Sequence, residues 1–225
     1  MRQFTIQPLD TKAMETCRYR IDNLTKPIYS LAMLETIAER FAGVLANPKP
    51  NHLKYGVLIV GADHLVDGPQ NIEHGHTSLN AIKRFNEGMS ATQGAAFKLQ
   101  APVYVVNVGL EQDTDHLSNI DSRVIRKGSH FFGVEPSISP DELEQALEMG
   151  FGYADKLHEA GLQVVALGNI GERTFLDALV TTATITGASY DSLLTESDNG
   201  PTIAQRAVHI HSFVDPFDIA VDDWT

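Results

Sequence analysis

Two glycines three residues apart, in Gly168-Asn169-Ile170-Gly171, close an apolar run and open onto Glu172, Arg173 and Thr174. A glycine turn between a strand and a helix aims backbone N–H groups and the helix N-terminus at one point, which suits a phosphate. Arg173 adds a guanidinium that can hold a phosphate by two parallel bonds, while the carboxylate of Glu172 partly cancels it. Two glycines are also what an ordinary tight turn needs, and G-x-x-G matches neither the Walker spacing nor the dinucleotide fingerprint.

Asp63 and His64 follow another apolar run directly. Such a pair can position a sugar hydroxyl, hold a metal or act as a general base, although consecutive side chains on an extended chain point apart. The plainer reading is an Asp that caps a following turn beside an exposed His. Glu73, His74 and His76 have the right donors for zinc but lack cysteines or a helical His spacing, and read as a polar loop. From Ser122 to Gly133, Arg123, Arg126 and Lys127 sit with two phenylalanines in an otherwise acidic chain. That run reads either as a dock for a small anion with an aromatic part or as a solvated loop with a hydrophobic anchor. No metal site, Ser-His-Asp elbow or Cys-His nucleophile pattern stands out.

The elements that must position these residues follow from periodicity. Tyr55–Val60, Pro102–Leu110 and Leu162–Gly168 are short, continuous and rich in Val and Ile, as strands buried on both faces are. Each is followed by a polar or glycine-bearing turn, so three such edges can face one cleft. Helical patterns separate them: Thr77–Gly88, then Ser139–Gly161 with Ser139 as N-cap, Pro140 at the first helical position and acids in the first turn. Another helical pattern runs from Arg173 to Gly187. Upstream, Ser30 is the expected N-cap of a helix whose Leu31, Leu34, Ile37, Ala38 and Phe41 share one face. Alternation of strands and helices predicts an α/β fold, a mainly parallel sheet flanked by helices in a Rossmann-like three-layer arrangement. Ligands of such sheets sit beyond the carboxyl ends of the strands. The whole chain, 1–225, is expected to be one α/β domain, with a helical N-terminal segment over 1–50, the core over 51–189 and an irregular C-terminal arm over 190–225.

Composition narrows the partners. A net charge of −12 is the wrong sign for neutralising nucleic-acid phosphates. Cys17 is the single cysteine, which excludes an intramolecular disulfide and fits a reducing, cytoplasmic setting. No run reaches the length of a membrane span.

Several blocks together resemble one family. The stretch IDNLTKPIYSLAMLETIAERFAG is similar to the signature Asp-x-Leu-Thr-Lys-Pro-Pro-Gly-Ser-Leu-Gly-x-Leu-Glu of the nicotinate-nucleotide–dimethylbenzimidazole phosphoribosyltransferases. Asp22, Leu24, Thr25, Lys26, Pro27, Ser30, Leu31, Leu34 and Glu35 match it. The run ending in Asp63-His64 resembles the family strand that ends Ala-Asp-His-Gly, and the run through Asn107 its Asp-Val-Gly strand. Ser122–Ser139 resembles its Arg-bearing loop, and Leu167–Thr174 the nucleotide loop Gly-Glu-Met-Gly-Ile-Gly-Asn-Thr-Thr. The blocks agree in order and spacing from about Asp22 to Arg206. Ile28-Tyr29 stands for Pro-Gly, Leu65 for the Gly after Ala-Asp-His, Asn169 for the loop Glu, Arg173 for its third Gly, and Gln205 for a lysine. The family's C-terminal third, with the glutamate that the resemblance assigns to deprotonating the benzimidazole, is not among the matched blocks.

The resemblance implies transfer of ribose phosphate from nicotinate mononucleotide to dimethylbenzimidazole, for the lower ligand of cobalamin. It implies substrate contacts from Gly168, Asn169, Gly171, Arg173, Thr174, His64 and Arg126. With the family base outside the matched blocks, Glu172 and then Asp63 are the candidate bases. No cofactor is implied; a small nucleotide and an aromatic base are the ligands, and a homodimer or a partner subunit the assembly. The second reading is a non-catalytic relative that binds a nucleotide or base, or an assembly or regulatory subunit.

Overall fold

The computed structural model describes residues 6–51, 53–65, 77–131, 135–189 and 192–193, without the side chains of residues 77, 175 and 176. The chain divides into two compact units, Met1–Lys54 and Tyr55–Thr225. The arm expected over 190–225, the tract Glu73–His76 and Gln205 lie outside the described residues, apart from residues 192–193 of the arm.

The first unit is a pair of helices, α1 (Thr11–Asp22) and α2 (Met33–Val44). Asp10 caps α1 by accepting from the Ala13 N–H at 2.9 Å. The helices close on small residues: Ala13, Cys17, Ala42 and Gly43 are buried. Two expectations are corrected here. Ala32, not Ser30, is the N-cap of α2, because the chain takes positive φ at Tyr29 and Ala32 and enters the helix late. The stripe of Leu31, Leu34 and Ile37 lies on the exposed face, while Glu35 faces inward.

The second unit is built on a four-stranded parallel sheet in the order β3-β2-β1-β4. Its strands are β1 (Tyr55–Ala62), β2 (Val103–Gly109), β3 (Asp121–Ser122) and β4 (Val164–Ile170). The helices are α3 (Thr77–Asn86), α4 (Ala91–Lys98), α5 (Pro140–Glu159) and α6 (Thr174–Thr186). Side chains alternate along β1, so Ile59 joins Ile82 and Phe85 of α3 on one face, and Leu58 joins Tyr153 and Leu157 of α5 on the other. This gives the expected three layers. Ser139 and Glu142 form a capping box at the start of α5. α4 and β3 are elements that periodicity does not reveal, α4 being short and nearly uniform around its circumference.

β4 departs from expectation. It begins two residues later than its apolar run and continues through Gly168, Asn169 and Ile170, which pair with Ile59, Val60 and Gly61. Among the described strands it also stands at the edge, with Leu167 exposed, rather than buried on both faces.

Candidate functional site

Since β4 runs through Ile170, the turn at its end is Gly171-Glu172-Arg173, not Gly168 to Gly171. Gly168 and Asn169 are strand residues on the approach to it. Gly171 abuts β1 so closely that a Cβ there would lie 1.6 Å from the Ala62 carbonyl oxygen. The chain then continues past the ladder: the His64 N–H donates to the Glu172 carbonyl at 3.0 Å, and an Arg173 Nη1 donates to the His64 carbonyl at 3.3 Å. Arg173 is the N-cap of α6 in left-handed conformation, with φ 62°, and caps it with no side-chain hydrogen bond. Thr174 begins the helix and turns its hydroxyl to the Gly171 carbonyl at 3.4 Å.

Asp63 sits at the centre of this edge and is 5 % exposed. Its Oδ1 accepts the Glu172 N–H at 2.8 Å. Its Oδ2 accepts the Glu111 N–H at 2.9 Å and the Ser78 hydroxyl at 3.1 Å. One short carboxylate therefore ties the ends of β1, β2 and β4 and the start of α3. The backbone continues the same junction, with the Asp63 N–H donating to the Gly109 carbonyl at 3.0 Å. His64 keeps a buried Nδ1 that has no hydrogen-bond partner. Glu172 lies on the turn, its backbone engaged on both sides by residues 63 and 64.

The loop after β2 is held from within. Asn107 is fully buried; its Oδ1 accepts the N–H groups of Gly109 at 3.1 Å and Leu110 at 2.8 Å, and its Nδ2 donates to the Thr114 hydroxyl at 2.7 Å. The basic run lies farther along, and each of its cations meets a carboxylate. Arg123 pairs with Asp121 at 2.9 Å, Arg126 with Glu142 at 3.7 Å and Lys127 with Asp113 at 3.8 Å. The Ser139 N–H, bonded to Glu142, holds that carboxyl below its ordinary range. Asp121 and Arg123, with Met149, Gly152, Tyr153 and Lys156, line a recess of about 360 Å³ between β3 and α5. Burial, and then the hydrogen bond to Asp121, push the Tyr153 hydroxyl well above its usual pKa.

Among the candidate residues, then, Asp63, His64, Gly171, Glu172, Arg173 and Thr174 come together at one edge, and the Arg126 guanidinium is engaged with α5. Ser78 and Glu111 are participants that the sequence does not reveal. Their only signal is that both lie at element ends, where a carboxylate needs donors. No cluster of metal-ligating side chains occurs among the described residues, and no described helix is long and apolar enough to cross a membrane.

A family model described as phosphoribosyltransferase matches residues 6–210. A nicotinate-nucleotide–dimethylbenzimidazole phosphoribosyltransferase of Chloroflexus aggregans is 32 % identical over 184 residues, covering 81 % of this chain and 52 % of the relative. One of Chromobacterium violaceum is 34 % identical over 187 residues, covering 81 % and 53 %. The chain thus spans about half the length of the curated relatives it matches. The crystal structure of the Thermus thermophilus enzyme of that name superposes with a TM-score of 0.75 at 26 % identity, covering 90 % of this chain and 61 % of that one.

Proposed function

The chain belongs to this phosphoribosyltransferase family, and from that premise we propose that it binds a nicotinate nucleotide at the carboxyl edge of its sheet and takes part in transfer of the ribose phosphate to a benzimidazole. The bond from the ribose anomeric carbon to the nicotinate nitrogen breaks, and nicotinate leaves. A bond to a benzimidazole nitrogen forms on the opposite face, and the N–H proton of that base passes to a carboxylate.

The observation that carries the reading is the start of α6, where no side-chain hydrogen bond caps the first turn and the Arg173 guanidinium is held at the adjacent backbone. The N–H groups of a first helical turn together with a guanidinium are what a phosphate needs. Gly171 and Thr174 supply the close backbone approach, and Gly168 and Asn169 carry the strand up to the site. Glu172 is the candidate proton acceptor on the turn. His64 is the candidate group beside the sugar, and Arg126 is a candidate anion contact once released from Glu142. The family reading extends to a homodimer, which the mass in solution tests.

The test is to mix the protein with nicotinate mononucleotide and dimethylbenzimidazole and follow free nicotinate by mass spectrometry, with a no-acceptor control. Acceptor-dependent release is expected, and Arg173→Ala should weaken nucleotide binding by roughly ten- to a hundredfold, the worth of a charge-assisted bond, while affecting the nucleoside much less. Binding of nucleotide without release by a folded protein would favour the non-catalytic reading.

A further inference from the structure

We propose that Asp63 is a positioning residue, not the proton acceptor: its buried carboxylate draws the β4 turn and the β2 loop onto the end of β1 and so sets the phase of the turn that meets the phosphate. The inference rests on the nucleotide-binding reading of this edge. Three observations carry it.

The first is occupancy. Both oxygens of Asp63 are engaged by donors at 2.8, 2.9 and 3.1 Å, two backbone amides and one hydroxyl. Three of the roughly four acceptor sites of the carboxylate are thus taken, and the side chain is buried at the strand junction, where a substrate has little room to reach it.

The second is reach. The two amides belong to residues 48 and 109 positions away in the chain, on two different strand ends. Neither loop has a local reason to meet the other. One side chain offers an acceptor to each, beside the backbone bonds from the Asp63 N–H to Gly109 and from the His64 N–H to Glu172.

The third is phase. With its N–H committed to Asp63, Glu172 is removed from the set of amides open to an anion. On this reading the phosphate is met by the amides of the first turn of α6, which begins at Thr174. The left-handed φ of Arg173 lies immediately after the bond that Asp63 makes, so releasing that bond frees the turn to relax at its strained residue.

The experiment uses the full chain with Asp63→Ala and the nearly isosteric Asp63→Asn. Amide hydrogen exchange is measured at Glu111 and Glu172 against Ile59 and Val106, and affinity is measured for nicotinate mononucleotide and for nicotinate riboside. Asp63→Ala is expected to speed exchange at both amides by at least roughly tenfold relative to the core references, as a buried donor loses its acceptor. Asp63→Asn must turn an NH2 toward one of the two amides, so one of them should exchange faster, and this variant decides the matter if the alanine variant does not fold. Nucleotide affinity should fall by about ten- to a hundredfold, with riboside affinity falling less. Unchanged exchange at both amides would overturn the brace. Faster exchange with the nucleotide-to-riboside preference intact would overturn its role in placing the phosphate site. A native protein that binds neither ligand would count against the proposed function, and the exchange result would still decide whether Asp63 is the brace.

Discussion

Gly171 and the Ala62 carbonyl are in backbone contact: a Cβ on Gly171 would stand 1.6 Å from that oxygen and 2.7 Å from the Thr174 methyl. Neither neighbour is the movable end of a long side chain. Gly171→Ala is therefore expected to force the turn away from β1 and cost about 3 kcal/mol or more, in the range of severe overpacking. Gly168→Ala meets only the Ile59 side chain, its Cδ1 at 2.6 Å, and should cost about 1–3 kcal/mol because that tip can rotate. Denaturant midpoints of the two variants check the order, and equal losses would contradict it.

Tyr29 and Ala32 occupy places where the signature that this chain resembles has glycine, and both keep the backbone that glycine favours. Their φ values are 59° and 45°, and Ala32 has ψ −121°, a region essentially reserved for glycine. Ala32→Gly should stabilise the protein by up to about 1 kcal/mol, the strain relieved less the added freedom of the unfolded chain. Such a gain raises Tm by roughly 2–4 °C in a chain of this size. Tyr29→Gly should gain less, since it gives up the Arg18 guanidinium held 5.6 Å over the ring, worth about 0.5–1 kcal/mol. Thermal unfolding of both variants gives the comparison.

Asn107 takes the place of an aspartate in the resembled strand, and its surroundings show how either residue fits. The Oδ1 serves two N–H groups, and the third partner is a hydroxyl that can donate as readily as accept. Asn107→Asp should therefore fold at neutral pH with the Thr114 hydroxyl reversed, losing stability in acid as the new carboxylate protonates. Asn107→Leu strands two buried amides and should cost about 2–4 kcal/mol. Chemical denaturation at neutral and acid pH separates the two.

How far these relations are legible before folding depends on the range over which they act. The capping box of Ser139 and Glu142 spans three residues, and β1, β2 and β4 carry their Val and Ile in continuous runs, so both can be read from neighbours. Where β4 ends is different. Gly168 and Asn169 look like turn residues locally, but pairing with Ile59 and Val60 keeps them extended. The buried side of α2 also runs against its apolar stripe, because a partner lysine lets Glu35 turn inward. Asp63 reads as an ordinary strand-end acid, since its donors come from distant positions that only the parallel crossovers bring together.

Glu35 offers the pH test. Its side chain is 1 % exposed and its Oε1 receives the Lys26 ammonium at 2.8 Å and the Leu31 N–H at 3.0 Å, while its Oε2 is buried without a partner. The Lys26 hydrogen bond first, and then the Leu31 N–H, hold this carboxyl below its ordinary value of 4.5, against burial acting the other way. The unfolded chain therefore takes up the proton before the folded one does. The stability this pair contributes is fully present above about pH 4.5 and is lost as pH falls through the lower folded-state value. Lys26→Met removes the cation and leaves a buried charge that has already lost one oxygen's solvation. The deficit of the variant should be greatest near neutral pH and shrink as Glu35 becomes protonated. Urea unfolding of the native and variant chains from about pH 7 to about pH 3 should give curves that converge in acid; curves that stay parallel would mean that Lys26 acts through packing and not through its charge on Glu35.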